Sequence, residues 1–397
     1  MMRGLFGTSV LCFLSLASSA HGIIHKAPGQ GKPWREFREL YSQLPSPQII
    51  TGLYANDTAS AQIVIHDTNG VVSWTWSVDD VQSQAMPAKL LGCMQEKTAV
   101  PEAKWANGGS SVIAVYNYAA LVINHLPGDA LDKKITFGVC LDWGDMANTH
   151  SLELVPDGKL AVATTSDDYH ANIKIFNVSS GIQPDSNPAQ DLSLLPAVHS
   201  LVWDQTERLL WAVGSTNPPN GTAPSKSTLR AYRYSQGSFE QQPVHDFNIS
   251  DATILTAEWN GTEYSNWWDG GHDVIGMPRR RKLLISTDLD LHVFDIPSKT
   301  FETGSVVVEK YLPGFAPMGD RIGADGHALP RSDVKSLSID ANDNVLYVQA
   351  TWQDVVSNQT NLLGNGELKP GLVHSRPVYR SRWFVDTLGW PKASIPS

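Results

Sequence analysis

Short apolar segments separated by polar turns recur along most of the chain. Between His150 and Asn177 the apolar segments are Ser151–Val155, Leu160–Thr165 and Asn172–Asn177. Pro156-Asp157-Gly158 fits a hairpin turn, because proline fixes φ and glycine accepts a positive φ. Both faces of the middle segment are small or apolar, which is typical of a strand packed between two sheets. The pattern predicts three antiparallel strands that need neighbouring units to complete a core.

The same order of elements returns along the sequence. Equivalent positions at the start of five units are occupied by Lys104, His150, His199, His272 and Lys335, at intervals of 46, 49, 73 and 63 residues. A period of about 50 residues with about four strands per unit is typical of a β-propeller. We therefore predict an all-β chain forming a single β-propeller with about four antiparallel strands per blade. Counting from Gln48 gives six blades, and seven if Thr253–Trp268 supplies an extra one.

The N-terminal residues have the features of a secretory signal peptide. Residues 1–20 contain Arg3, an apolar run from Val10 to Leu16, and small residues before a cleavage point after Ala20. We expect residues 21–47 to form an extension with a short helix, residues 48–390 the propeller, and residues 391–397 a tail. No later segment has the length of a transmembrane helix, so we expect a secreted, extracellular protein that does not bind a membrane.

A secreted protein can form disulfides and carry N-linked glycans. Cys12 leaves with the signal peptide, and the two remaining cysteines, Cys93 and Cys140, are expected to form a disulfide. Six sequons are candidate glycosylation sites. They are Asn56, Asn177, Asn220, Asn248, Asn260 and Asn358.

Charge narrows the class of partner. The net charge is −10 and the sequence pI is about 5.6, which argues against binding to nucleic acid or to an anionic membrane. A small-molecule or saccharide ligand and a monomeric state are the expectation that remains.

The repeated starting positions are the candidate site. In a propeller these positions should converge around one mouth of the central channel, which brings His150, His199 and His272 together. Converging imidazoles suit catalysis or one divalent metal ion, and the flanking Lys104 and Lys335 suit a substrate carboxylate. A purely structural ring and an anion-binding ring are the alternatives.

Further residues near these positions are candidates for substrate binding. Asp273 follows His272 and is a carboxylate available for substrate binding or proton transfer. Trp267 and Trp268 lie just before His272 and either stack on a sugar or fill a gap between blades.

At these motifs the sequence resembles a known family. The segments HSLELVPDGKLAVATT, HSLVWDQTERLLWAVG, GGHDVIGMP, VKSLSID and YRSRW resemble a family of secreted propeller proteins of bacteria and fungi, known mainly as a domain of unknown function. The resemblance covers about Gln48 to Trp383; it implies the propeller fold and no activity. A looser similarity is to propeller polysaccharide lyases such as oligogalacturonate lyase, whose channel histidines bind a metal.

Three functions follow from these observations as expectations. The first is a secreted carbohydrate-active lyase or hydrolase that acts on an acidic saccharide. The second is a non-catalytic propeller that binds a ligand or glycan, and the third is a tailoring enzyme for a secreted small molecule. The chain contains no G-x-S-x-G, H-E-x-x-H, P-loop or Rossmann fingerprint, so those enzyme classes have no motif support.

Overall fold

The structure, a computed structural model, describes residues 48–95, 99–142, 144–166, 172–192, 195–255, 266–317, 332–350 and 355–395. These residues belong to one compact unit, Ser46–Ser397. The predicted signal peptide, the N-terminal extension and its short helix lie outside the described residues.

The regular structure of the described residues consists mainly of antiparallel strands. The first three are β1 (Ile49–Leu53), β2 (Gln62–His66) and β3 (Val72–Trp76). The second sheet, in the order β4-β5-β6-β7, contains β4 (Glu102–Ala106), β5 (Ser111–Tyr116), β6 (Ala119–Asn124) and β7 (Ile135–Cys140). The third, in the order β11-β10-β9-β8, contains β8 (Thr149–Val155), β9 (Lys159–Thr164), β10 (Ile173–Asn177) and β11 (Gln190–Leu192).

The second half of the chain repeats this arrangement. The fourth sheet contains β12 (Ser200–Asp204), β13 (Leu209–Ser215), β14 (Ser227–Ser235), β15 (Ser238–Phe239) and β16 (His245–Asn248), the last paired with β14. The fifth contains β17 (Gly271–Gly276), β18 (Lys282–Thr287), β19 (Leu291–Asp295) and β20 (Thr300–Thr303). The last strands are β21 (Val334–Ile339), β22 (Val345–Gln349), β23 (Ser357–Gly364) and β24 (Glu367–Trp383).

One long strand, β24, joins the last strands to the first ones. Its N-terminal half pairs with β23, and its C-terminal half pairs with β1 through Val378–Leu53 and Trp383–Ile49. The result is one seven-stranded sheet in the order β21-β22-β23-β24-β1-β2-β3. The C-terminal half of β24 thus becomes the fourth strand beside β1, β2 and β3.

The predicted hairpin at Pro156-Asp157-Gly158 is confirmed. Val155 at the end of β8 pairs with Lys159 at the start of β9. Asp157 has φ 61° and Gly158 has φ 63°, a left-handed conformation that glycine accepts without strain. The strands around this turn agree with the predicted ones to within two residues.

The hydrophobic core is divided among the gaps between neighbouring sheets. One cluster joins the second, third and fourth sheets and includes Phe137, Phe176 and Trp203. Another joins the fourth and fifth sheets around Trp211 and Phe294. The third and fourth sheets are therefore covered on both faces by neighbouring sheets, as the apolar pattern of β9 predicted.

Helices are few in the described residues. They are α1 (Ala88–Gln95), α2 (Ser305–Tyr311) and four 3₁₀ segments at Val78–Ser83, Asn107–Gly109, Gly144–Asn148 and Val178–Ser180. Helix α1 buries Leu90, Cys93 and Met94 against the second sheet. None of the helices described is long and apolar enough to cross a membrane.

Candidate functional site

Four of the five repeated starting residues lie together. The ring centroids of His150 and His199 are 5.3 Å apart, and those of His199 and His272 are 4.9 Å apart. Lys335 Nζ lies 2.9 Å from His272 Nε2, and the ring of Tyr379 lies 5.2 Å from that of His150. We call His150, His199, His272, Lys335 and Tyr379 the histidine mouth.

The strands explain why these side chains reach the same place. The pairing register shifts between Thr149 and Ser151 in β8, across His272 in β17 and across Lys335 in β21. Such a shift inserts one extra residue into a strand and re-aims its side chain. His150, His272 and Lys335 are these extra residues.

His150 and His199 share one hydrogen-bonding arrangement. His150 Nδ1 lies 3.0 Å from the carbonyl oxygen of Asn148, and His199 Nδ1 lies 3.1 Å from that of Ala197. A carbonyl only accepts, so each Nδ1 carries the proton and each Nε2 keeps its lone pair. Both residues are partly exposed at the mouth.

The same two imidazoles are held neutral. Burial lowers the pKa of His150 to about 3, and the positive charge of Arg380 acts in the same direction. Burial and the neighbouring His272 also lower the pKa of His199 well below its ordinary value. Near neutral pH these rings are therefore hydrogen-bond acceptors or metal ligands, and His150 is too weak a base for efficient proton abstraction.

His272 has a different environment. Its Nε2 lies 2.6 Å from Asp288 Oδ1 and 3.4 Å from Asp333 Oδ1. Burial and Lys335 lower the pKa of His272, but Asp288 and Asp333 outweigh them and the net pKa is raised. Burial and Asp288 raise the pKa of the neighbouring Asp269 to about 7.

The predicted metal site therefore needs a correction. Among the described residues, the cluster at this mouth whose ligand atoms all lie within 4.8 Å of one another is His272 with Asp288 and Asp333. His150, His199 and His272 do not form such a set, because His272 directs Nε2 to Asp288 and Lys335.

Arg380 fills the channel immediately behind the mouth. Its guanidinium donates to Glu102 Oε2 at 2.8 Å. It also donates to the backbone carbonyls of four mouth residues, His150, His199, His272 and Lys335, at 2.6, 2.9, 2.8 and 3.1 Å. Arg380 is 1% exposed, so one buried side chain organises the backbone of the whole mouth.

Asp273 is not exposed at the mouth, which argues against its predicted role in substrate binding. The residue is fully buried, and its carboxylate pairs with Arg382 Nη2 at 3.0 Å and accepts from Ser200 Oγ at 2.7 Å. Burial raises the pKa of Asp273, but Arg382 and Arg380 hold it well below its usual range. Asp273 is a counter-ion of the channel arginines.

Lys104 does not belong to the mouth. Its Nζ lies 2.9 Å from Glu153 Oε2 and 3.0 Å from the carbonyl oxygen of Leu201, deep in the channel. The side chain is buried, which lowers its pKa. Lys335 remains at the mouth, but its Nζ lies 2.5 Å from Asp333 Oδ1. Neither lysine is free to bind a substrate carboxylate as predicted.

The C-terminal residues take part in lining a cavity between the strands. This cavity, of about 60 Å³, is lined by residues of β4, β8, β12, β17, β21 and β24 together with Trp390 and Lys392. Lys392 Nζ lies 2.7 Å from Glu153 Oε1, and Ala393 is buried in the core. The residues after 390, predicted as a tail outside the propeller, are packed against it as far as Ile395.

The two tryptophans predicted to stack on a sugar are held by their own surroundings. Trp268 donates its indole N–H to the carbonyl of Gly221 at 2.9 Å, and its backbone N–H to Pro219. Trp267 is partly buried beside it. This arrangement favours the packing alternative, because the polar atom of the Trp268 indole is already used.

The predicted disulfide and the predicted glycosylation sites can each be compared with the structure. The disulfide between Cys93 and Cys140 is confirmed, with Cα atoms 5.8 Å apart. Five sequon asparagines are exposed, as glycosylation requires, and their occupancy stays a prediction. They are Asn56, Asn177, Asn220, Asn248 and Asn358. Asn260 lies outside the described residues.

Several residues of the site were missed from the sequence. Tyr379 and Arg380 lie in the closing YRSRW motif, and a signal was present, because two arginines two residues apart in an apolar strand must face one interior. Asp288 lies in the turn between β18 and β19 and Asp333 directly precedes β21, and an aspartate at such loop positions is ordinary and carries no signal of its own.

Comparisons with known proteins do not add to this geometry. No family model matches the sequence, and no curated protein matches it. Among solved structures, the chain is similar to Kuenenia stuttgartiensis hydrazine synthase, with 10% identity, a TM-score of 0.45, and coverage of 81% of this chain and 77% of that one. It is also similar to a chain of the mitotic checkpoint complex, with 12% identity, a TM-score of 0.43, and coverage of 81% and 77%. Both TM-scores are below 0.5, so neither similarity carries an argument here.

Proposed function

We propose that the chain forms a six-bladed β-propeller closed by its C-terminal strand. The inner strands contact one another in the cyclic order β4, β8, β12, β17, β21, β24 and back to β4. Each of these strands contributes at least one residue to the lining of one cavity. The lining includes Lys104, Glu153, Val202, Ile275, Ser338 and Arg382. In the region of the seventh-blade alternative, the described residues make only a single bridge, Ile254–Trp268.

The function we propose is binding of a hydroxyl-rich ligand, with a saccharide as the class, at the histidine mouth. One observation carries it: His150 and His199 are neutral and partly exposed, with Nδ1 committed to backbone carbonyls and Nε2 left to accept, as far as the described residues show. Sugar hydroxyls are the donors that such acceptors fit, and Tyr379 supplies an aromatic ring beside them. The backbone of the mouth is fixed in advance by Arg380, which reduces the entropy lost on binding.

The charge of the mouth bears on which saccharide is bound. Lys335 is neutralised by Asp333, and Lys104 is buried with Glu153. The acidic saccharide expected from the two lysines therefore loses its support. We expect neutral and uronic-acid oligosaccharides to bind comparably.

A second candidate is the lyase or hydrolase predicted from the sequence. His272 favours it, because its pKa is raised and it is paired with Asp288, the arrangement of an acid–base residue oriented by a carboxylate. The same geometry serves a tailoring enzyme for a secreted small molecule. Product formation from a panel of glycans and hydroxylated small molecules separates both from simple binding.

The test of binding is calorimetry of full-length secreted protein against neutral and uronic-acid oligosaccharides. We expect the His150→Ala/His199→Ala double variant to lose binding at least tenfold. His245→Ala is the matched control, because this histidine lies outside the mouth with its ring stacked on Trp211 at 5.9 Å. A double variant that binds as tightly as the control would contradict the proposal.

Localisation and oligomeric state belong to the same proposal. We propose a secreted, glycosylated monomer, supported by the signal-peptide pattern of residues 1–20, the Cys93–Cys140 disulfide and the exposed sequons. Mass spectrometry of culture medium before and after deglycosylation, with light scattering for the molar mass, tests all three features.

A further inference from the structure

His272, Asp288 and Asp333 bring three metal-ligating side chains to one point beside the mouth. Their ligand atoms all lie within 4.8 Å of one another. His272 and Asp333 are each 6% exposed, and Asp288 is partly buried in the turn between β18 and β19. We call these three residues the 272–288–333 cluster.

A positive charge already occupies this point. Lys335 Nζ lies 2.9 Å from His272 Nε2 and 2.5 Å from Asp333 Oδ1. This one ammonium pairs with Asp333 and acts electrostatically on Asp288, and Asp269 lies within electrostatic reach of Asp288. Carboxylates outnumber the lysine among the described residues here, and buried charge is stable only when it is compensated.

Two buried atoms of the cluster lack the hydrogen bonds that a structural role would supply. Among the described residues, Asp333 Oδ1 receives no aligned hydrogen bond, although Lys335 is close to it. Within the same residues His272 Nδ1 has no partner either, whereas His150 and His199 both direct Nδ1 to a backbone carbonyl. The contacts of Nε2 within the cluster therefore set the orientation of the His272 ring.

We infer that the 272–288–333 cluster binds one divalent transition-metal ion, such as Mn²⁺ or Zn²⁺, in exchange for the Lys335 ammonium. One imidazole and two carboxylates suit these ions. Ligands about 2.0–2.2 Å from a metal lie about 3 Å or more from each other. The 3.4 Å from His272 Nε2 to Asp333 Oδ1 meets this spacing, and the 2.6 Å to Asp288 Oδ1 must open by a few tenths of an ångström.

The ion would give the mouth a catalytic element. Three protein ligands leave at least one coordination position for water or a ligand hydroxyl. The site lies next to His199, whose ring is 4.9 Å from that of His272. This inference deepens the proposed function in placing the ion beside the saccharide site, but metal binding itself requires no saccharide.

The experiment is calorimetric titration of metal-free full-length protein with MnCl₂ and with ZnCl₂. We expect one ion per wild-type chain. Asp288→Asn and Asp333→Asn should each weaken binding at least tenfold. Lys335→Met removes the competing ammonium and should tighten binding at least tenfold, a gain that misfolding cannot imitate. The His150→Ala/His199→Ala variant should bind the ion as the wild type does, even where it has lost the saccharide.

Three results would overturn the inference. One is the absence of stoichiometric binding to the wild-type chain, whether or not Lys335→Met binds. Another is unchanged affinity in folded Asp288→Asn and Asp333→Asn. The third is loss of the ion in His150→Ala/His199→Ala, which would return the metal to the histidines first predicted. Loss of saccharide binding alone contradicts none of this and concerns only the proposed function.

Discussion

Replacing Arg380 by lysine should destabilise the protein strongly while keeping the charge. All five N–H groups of the guanidinium are used: one on Glu102 and four on backbone carbonyls of the mouth. A lysine ammonium has three donors, so at least two buried acceptors lose their partners. Each unsatisfied buried acceptor costs about 1–3 kcal/mol, so we expect a loss of about 2–6 kcal/mol. A domain has only about 5–15 kcal/mol of stability in total.

Urea denaturation followed by tryptophan fluorescence measures this loss as a change in the free energy of unfolding. Arg233→Lys is the matched control, because its side chain is 46% exposed and lies 3.8 Å from Glu240. The control should change stability by less than about 0.5 kcal/mol. If Arg380→Lys stays within that range, Arg380 does not organise the mouth and the reasoning fails.

Three further predictions concern other parts of the fold. Replacing Cys93 and Cys140 by alanine should cost about 4 kcal/mol in urea denaturation, because the disulfide closes a loop of 47 residues; a loss below 1 kcal/mol would contradict this. Trp390→Ala should lower the free energy of unfolding by about 3–5 kcal/mol. Trp390 is 1% exposed and packs on Gly276, where an added Cβ would lie 2.2 Å from the indole. An unchanged melting temperature would show that the C-terminal residues are not part of the fold. Burial and His66 lower the pKa of His374 to about 4. The unfolded chain, in which the pKa is about 6.5, therefore binds this proton more readily than the folded one. The free energy of unfolding should fall as the pH drops from about 6.5 to 4, by up to about 1.4 kcal/mol per pH unit. His374→Gln should reduce that slope, and an equal slope in the two proteins would refute the assignment.

The strands and the convergence of the histidines could be read from the sequence because both are repeated. The segment from β8 to β10 has a clear alternation and an explicit turn, and its strands were placed nearly correctly. The sequence His-Ser-Leu marks equivalent positions in two successive units, so the sequence alone predicts that His150 and His199 lie together.

The predicted position of Lys104 at the mouth is wrong because its unit lacks the His-Ser-Leu sequence. The recurring order of elements matches it to His150, but in the structure it lies beside Glu153. Residues two apart in a strand face the same side, so a shift of a few residues moves a side chain between levels of the channel. The register shifts at His272 and Lys335 are equally invisible to a period-two pattern.

The partners of the site come from distant parts of the chain, which local patterns do not connect. Arg380 meets Glu102 across 278 residues, and Arg382 meets Asp273 across 109. The spacing of the two arginines places them on one face of the last strand, but it does not show which carboxylates they meet. Asp273 likewise looked available for substrate, although it neutralises a buried arginine.

The most direct test of the account is the protonation state of His150 and His199. Long-range ¹H–¹⁵N correlation spectra of protein labelled at histidine identify the tautomer of each ring and follow it during titration with oligosaccharide. We predict that both rings are neutral at pH 6, carry the proton on Nδ1, and show shifts of the Nε2 resonances when the ligand binds. Rings that are charged at pH 6, or that carry the proton on Nε2, would contradict it, because no free acceptor would then face the ligand.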